Sequence, residues 1–394
     1  MNILYFCNVH RSIPTELGVL KKVYAQCSVL RDAGHTVVLA CPDDLHTFVF
    51  TNEKNEIINK FSLSNVSRFK KSQKVLACVF DFIKENKIEF VYSRYSDFSL
   101  SAHTFYKKLR RFNVISVLEI PTYPINQRWT SIKQNLRNGN VKAALSQTYT
   151  STVGSLGIWF FKNSLSRIVN NNGFDTIWGL KVIGITNGID VKSIPMRIHT
   201  YKNKPELHLM SVANVAHWHG YDRIIRGLAE YYKNQVGIIV YFDLAGPGTE
   251  VELLKQLAFK LGVENYVNFK GVVVGKDLDQ LFNHADIGIS VLGVHRNNMT
   301  VYDSLKSREF CARRLPFITE SAETHFQGKP FVLCAESNEE PIDILSIIDF
   351  YNRIVETPQI LDMMYEFAHK ECDWSKAFSP VVEYIDSLGN ERCR

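Results

Sequence analysis

Residues 17–41 read Leu17-Gly-Val-Leu-Lys-Lys-Val-Tyr-Ala-Gln-Cys-Ser-Val-Leu-Arg-Asp-Ala-Gly-His-Thr-Val-Val-Leu-Ala-Cys41. Leu20, Val23, Tyr24, Cys27 and Leu30 recur at helical spacing, Gly34 stands where a helix C-cap glycine belongs, and Thr36–Cys41 is a β-branched, apolar run. The run Ile3–Cys7 precedes this stretch, so the chain opens as strand, Gly18-bearing loop, helix, strand. That is one βαβ unit of a parallel sheet.

Working outward, the same alternation places strands at Phe90–Tyr92, Val114–Glu119, Ser166–Val169 and Val182–Thr186. It lapses over Val191–Glu206 and restarts with Leu207–Val212, Val236–Ala245, Tyr266–Phe269, Ile287–Val291 and Pro316–Ile318. The restart marks a second sheet. The expected division is residues 1–195, residues 196–375, and a C-terminal helix over 376–394 returning toward the first domain. Open parallel sheets take ligands beyond the carboxyl ends of their strands, so a cleft between the two domains is the expected binding place. The class is α/β.

The chain has 394 residues, 45% hydrophobic and 22% charged, which excludes disordered and fibrous classes. Its 46 Lys/Arg against 40 Asp/Glu give a net charge of +6. The charge is unevenly placed: residues 1–195 hold 25 basic and 13 acidic residues, and the remainder hold 21 and 27. No pair of the 8 cysteines has C-x-x-C or zinc-site spacing, which fits a reducing compartment. The start Met1-Asn-Ile-Leu-Tyr-Phe reads as a strand and not as a secretory signal. No apolar run approaches the roughly 20 residues of a spanning helix. The expected location is cytoplasmic, with room for peripheral attachment to the inner face of the plasma membrane.

Several stretches could carry chemistry. Pro14-Thr-Glu-Leu-Gly18 could let an anion approach a helix N-terminus. Leu244-Ala-Gly-Pro-Gly248, with Gly246, lacks both the third glycine of a dinucleotide fingerprint and the Lys of a Walker loop, and as a lone motif reads as a turn. Ser304-Leu-Lys-Ser-Arg-Glu-Phe-Cys-Ala312 places Lys306 and Arg308 near a helix start, where cations oppose the dipole unless an anion faces them. Glu309 lies deeper in that helix, and His295, Arg296 and Asp303 lie in the loop before it. Glu119-Ile-Pro-Thr-Tyr-Pro124 puts a carboxylate at a strand end, with Tyr123 held between prolines. Arg94 and Tyr95 close the neighbouring strand.

In their order, these signals resemble glycosyltransferase family 4, of GT-B architecture with two facing Rossmann-like domains. The matching pieces include Arg31–Val38, Thr186–Asp190, Ser211–Arg223, Leu244–Gly248, Asn268–Gly271, Ala285-Asp286 and Glu309–Pro316. The resemblance implies transfer of a sugar from a nucleotide sugar with retention of configuration, without a cofactor or bound metal. It places Glu309 at the ribose; the expected donor site further has Gly271 and Val272 near the base, Gly18 close to the donor phosphates, and Ser304 and Leu305 among its nucleotide-binding residues. The sequence departs from the family at three positions. The first of two paired carboxylates falls on Val301, with Asp303 as a nearby substitute. The diphosphate-gripping Arg and Lys fall on Asn214 and His219. Charge balance then calls for other cations, and Lys306, Arg296 and His295 are the replacements, ahead of Arg308.

The expected catalytic residues are Glu119, Lys306 and Arg296, with Arg94, Tyr95 and Tyr123 on the acceptor side. The expected partners are a nucleotide-sugar donor, with uridine diphosphate the choice on family frequency, and a glycan or lipid-linked acceptor of a surface-polysaccharide pathway. A nucleotide-sugar epimerase and a non-catalytic GT-B binding module are the alternatives. Nucleic acid is not an expected partner, for want of a binding module. The eight basic residues between Ser101 and Thr150, with Trp129, Leu136, Leu145 and Ile158–Phe161 nearby, instead suit an anionic membrane.

Overall fold

The computed structural model describes the chain apart from residues 14–15, 95–98, 122–131, 133–135, 137–139, 143, 147, 149–151, 153–159, 172, 199, 234–236, 298, 300 and 393–394. It divides into two compact units, Met1–Thr186 with Ala377–Arg394, and Asn187–Lys376. The boundary thus falls ahead of the irregular segment in which the sequence places the linker, and that segment belongs to the second unit.

In the first unit the opening βαβ is β1 (Asn2–Phe6), α1 (Leu17–Asp32) and β2 (Thr36–Pro42). α1 turns Leu20, Val23, Cys27 and Leu30 inward, the faces given by the helical period. After β2 come β3 (Thr47–Thr51) and β4 (Ile57–Ser62), then α2 (Arg68–Glu85), β5 (Phe90–Arg94), α3 (Leu100–Arg111), β6 (Ile115–Glu119), β7 (Arg167–Asn170), β8 (Thr176–Ile177) and β9 (Leu180–Gly184). The sheet order is β4-β3-β2-β1-β5-β6-β7-β9-β8. Its centre is parallel, while β3, β4 and β8 pair antiparallel at the edges. Within the antiparallel hairpin β4 was not legible as strand because it is almost wholly exposed and carries no buried face to impose alternation, whereas β3 is almost wholly buried.

The second unit contains β10 (Glu206–Val212), α4 (Tyr221–Lys233), β11 (Ile239–Ala245), α5 (Val251–Lys260), β12 (Val267–Gly271), α6 (Gly275–His284) and β13 (Ile287–Ile289). It continues with α7 (Leu305–Ala312), β14 (Phe317–Glu320), β15 (Val332–Ala335), α8 (Ile344–Glu356) and α9 (Gln359–Phe367). Its six strands are all parallel, in the order β12-β11-β10-β13-β14-β15. Counted from β10, this is the 3-2-1-4-5-6 order of a doubly wound sheet, whose direction of winding reverses between β10 and β13. Buried side chains of β10, β11, β13 and β14 meet Ile224, Ile225 and Leu228 of α4 and Ile347, Tyr351 and Ile354 of α8 in one core. Each such aliphatic side chain contributes about 1.5–3 kcal/mol when fully buried.

The C-terminal helix α10 (Ser379–Arg392) belongs to the first unit. Just ahead of it, Phe378 packs edge-on against Tyr92, and within it Tyr384 and Ser166 hydrogen-bond through their hydroxyls. No helix of the described residues is long and apolar enough to cross a membrane.

Candidate functional site

The reversal between β10 and β13 leaves the loops that follow these strands side by side, which is where an open α/β sheet offers a crevice. After β10 the chain runs through a short turn, His217–His219, to Gly220 and α4. Gly220 has φ +69°, and a Cβ there would lie 2.5 Å from the Leu292 carbonyl carbon, so only glycine lets the two loops approach this closely. Tyr221, the first residue of α4, is thereby held against the end of β13.

The chain after β13 leads to α7. Ser304 caps this helix, its hydroxyl accepting from the Lys306 backbone N–H at 3.1 Å. Glu323, fully buried in the loop after β14, accepts from the Ser304 backbone N–H (2.8 Å), the Ser307 hydroxyl (2.6 Å) and the Thr319 hydroxyl (2.6 Å). Its carboxylate thus fixes the helix start from beneath.

Lys306, in the first turn, extends its ammonium to the Tyr221 hydroxyl at 2.8 Å and to the Ser290 carbonyl at 3.4 Å. Among the described residues no carboxylate forms an ion pair with it. The residue keeps some exposed surface, while its ammonium centre is enclosed. Burial lowers its pKa to about 7, with the Glu323 charge only partly restoring the protonated form. A buried cation at a helix N-terminus, lacking its own counter-ion, can be stabilised by an incoming anion.

The other expected cations are already neutralised. Arg296 donates to both oxygens of Asp222, at 2.8 and 3.0 Å, and is also ion-paired with Glu339. His295 lies 3.0 Å from Glu320 and 2.8 Å from Glu339. Arg308, fully buried, pairs with Asp303. These three fasten loops within the second unit, so Arg296 and His295 already have carboxylate partners where the sequence reading sets them against a diphosphate. Asp303, besides pairing with Arg308, accepts from the Asn187 backbone N–H at 2.5 Å.

His219 is buried between Trp218 and Tyr221, with ring centroids 4.0 and 5.3 Å away. Burial first, and then Lys306, push its pKa down to about 3, so it is a neutral ring. Its Nδ1 accepts from the Ala216 backbone N–H at 3.0 Å. Asn214 is exposed in the preceding loop. Gly246 has φ +114°, and a Cβ there would collide with the Ala213 carbonyl; this glycine packs two strand-end loops together. Gly271 ends β12 with φ +66°, and Val272 beyond it is 71% exposed. Leu305 is the exposed first residue of α7, and the Glu309 carboxylate receives Arg313 Nε at 2.9 Å.

In the first unit, Glu119 ends β6 and lies in register with Arg94 at the end of β5. It is 1% exposed, where the sequence reading has it facing a cleft, and it is enclosed by charged and polar side chains. Lys22 of α1 lies at 3.0 Å, Arg94 at 3.6 Å, and the Tyr92 hydroxyl donates at 2.8 Å. Burial alone would raise the Glu119 pKa, but Lys22, Arg94 and Tyr92 outweigh it and hold the group at about 2. Gly18 lies in the exposed first turn of α1. Tyr95 and Tyr123 lie outside the described residues, as do Arg128, Trp129, Lys133 and Arg137 of the basic stretch.

Tyr221, Ser290 and Glu323, which build the Lys306 pocket, were missed in the sequence. Glu323 carried a usable signal, a carboxylate just past a strand of a parallel sheet. Tyr221 and Ser290 carried none, because only the strand order brings them to Lys306.

No family model and no curated sequence matches the chain. Among solved structures it is similar to a glycosyltransferase from Rickettsia africae (TM-score 0.64, 13% identity, covering 98% of each chain). It is also similar to sucrose-phosphate synthase from Thermosynechococcus elongatus (TM-score 0.60, 12% identity, covering 99% of this chain and 100% of that one). A third is Anabaena HepE in complex with UDP (TM-score 0.58, 14% identity, covering 98% of this chain and 100% of that one). These neighbours are GT-B glycosyltransferases, and the likeness establishes the GT-B fold, with two Rossmann-like units.

Proposed function

We propose that the chain is a glycosyltransferase that moves a sugar from a nucleoside-diphosphate sugar, with UDP as the nucleotide, to a glycan or lipid-linked saccharide acceptor with retention of configuration. The observation that carries this reading is Lys306: an enclosed ammonium at the N-terminus of α7, at the point where the second sheet reverses its winding, without an ion-pairing carboxylate among the described residues. A diphosphate supplies the missing charge. The UDP held by Anabaena HepE, on the same fold, supports the choice of nucleotide.

In the reaction the bond between the sugar's anomeric carbon and the diphosphate oxygen breaks. The electron pair leaves with the nucleoside diphosphate, and an acceptor hydroxyl oxygen bonds to the same carbon on the same face, its proton passing to the departing phosphate. Lys306 neutralises the charge that grows on the leaving group, and Tyr221 orients the ammonium. Glu309, 33% exposed in its side chain and steadied by Arg313, is the ribose acceptor, and Val272 presents an apolar surface to the base. Glu119 supports Lys22 and Arg94 and transfers no proton. The setting we favour is surface-polysaccharide synthesis on the inner face of a membrane.

The test is a screen of nucleoside-diphosphate sugars by thermal shift, followed by nucleotide-release assays with candidate acceptors. Stabilisation by a uridine donor and acceptor-dependent release of UDP are expected. Donor binding without release for any acceptor would support a binding module instead.

A further inference from the structure

A second convergence of polar side chains lies on the sheet of the same unit, near the amino-terminal end of β10. His208 of β10 faces Tyr241 in register on β11, so Asp243, two residues further along β11, projects on the same face. α6 ends at His284, two positions before the Asp286 that leads into β13, β10's other neighbour. The two imidazole centroids are 3.9 Å apart, and one ligand atom from each of His208, Asp243 and His284 lies within 4.8 Å of the others. Among the described residues this is the one group of His, Cys, Asp or Glu side chains so convergent.

We propose that His208, Asp243 and His284 bind a zinc-type transition-metal ion. The donor set is two imidazole nitrogens and one carboxylate oxygen, which suits zinc and its neighbours better than calcium or magnesium. Asp243 divides its two oxygens. Oδ1 receives Asn268 Nδ2 at 2.9 Å and Lys270 Nζ at 3.0 Å, whereas Oδ2 is turned to His208 Nδ1 at 3.1 Å, a separation that a shared tetrahedral ion spans. Glu206 Oε1 lies 3.8 Å from His208 Nε2, on the far side of the ring, which places a negative charge behind the ligand without a hydrogen bond to it. Asp243 is buried and His284 exposed, so the site has a fixed floor and an open side for a water ligand. The ion would tie β10, β11 and α6 together, apart from Lys306, which lies beyond the carboxyl ends of the strands.

The experiment is calorimetric titration of zinc chloride into the chelator-treated full chain, repeated with His284→Ala, Asp243→Asn and Cys334→Ser. One zinc per chain is expected. Its affinity should fall at least about tenfold in the first two variants and stay unchanged in the third. Zinc should raise the melting temperature of the wild type and not that of His284→Ala, whose melting temperature without zinc should match the wild type's because the ring is exposed. No uptake by the wild type, uptake unchanged in His284→Ala, or uptake abolished by Cys334→Ser would overturn the proposal.

Discussion

Lys306 Nζ lies 2.8 Å from the hydroxyl of Tyr221, a residue 85 positions earlier in the chain, and this contact joins the start of α7 to the start of α4 at the reversal point of the second sheet. An ammonium solvated by a phenol and a carbonyl, with no ion pair among the described residues, is a costly arrangement for the fold alone.

That cost gives the first prediction. The folded-state pKa of about 7 lies below the ordinary lysine value, so between about 7 and roughly 10.5 the unfolded chain binds the extra proton. Stability therefore rises with pH across that window, and the penalty is fully present below it. Lys306→Met should be more stable than the wild type at pH 7 and should lose this dependence, as read from urea unfolding at pH 7 and 9.5.

The same titration acts on ligand. UDP should bind less tightly as pH rises through about 7, because an ammonium that has lost its proton no longer attracts the diphosphate. Above that value each pH unit should weaken binding by up to about tenfold, the limit for one linked proton. Calorimetry between pH 6.5 and 8.5 measures the slope, which Lys306→Met should flatten.

Glu119 should behave as a structural anion. Glu119→Gln leaves Lys22 and Arg94 beside an uncharged amide in a buried place, and breaking such a cluster costs roughly 3–5 kcal/mol. With a folded pKa of about 2 against an ordinary 4.5, the stability that Glu119 contributes is complete above about 4.5 and is lost as pH falls toward 2. Acid unfolding followed by circular dichroism should begin at higher pH in the variant.

Residues Lys107, Lys108, Arg110 and Arg111 of α3, all exposed, lie in a chain region with exposed Leu100, Phe112 and Phe160. If this face meets an anionic membrane, flotation with phosphatidylserine vesicles should be strong at low salt and weak at high salt. Each basic residue contributes about 1 kcal/mol near the surface. A fourfold charge reversal that leaves flotation unchanged would remove this face from the account.

Both sheets were legible in the sequence because their central strands are buried on both faces and read as short apolar runs, as in Ile3–Cys7 and Ile287–Ile289. The edge strand β4 was not, since an exposed strand carries no such imprint; β3, with Phe48, Val49 and Phe50 buried, carried an apolar run that was passed over. Lys306 could be singled out from one local conflict, a cation at a helix start. Arg296 looked similar in sequence. It differs only because the fold places Asp222 and Glu339, distant in the chain, against its guanidinium. The burial of Glu119 likewise depends on Lys22, a residue of α1 that helical periodicity alone does not direct at the end of β6.

The most direct measurement of the central claim is the affinity of UDP for the wild type, Lys306→Met and Arg296→Ala at pH 6.5. Lys306→Met is expected to lose about 10²-fold or more, the scale of removing one such electrostatic contact. Arg296→Ala should bind nearly as well as the wild type, since its charge is already spoken for. Equal affinity of Lys306→Met and wild type would contradict the assignment of Lys306 to the diphosphate.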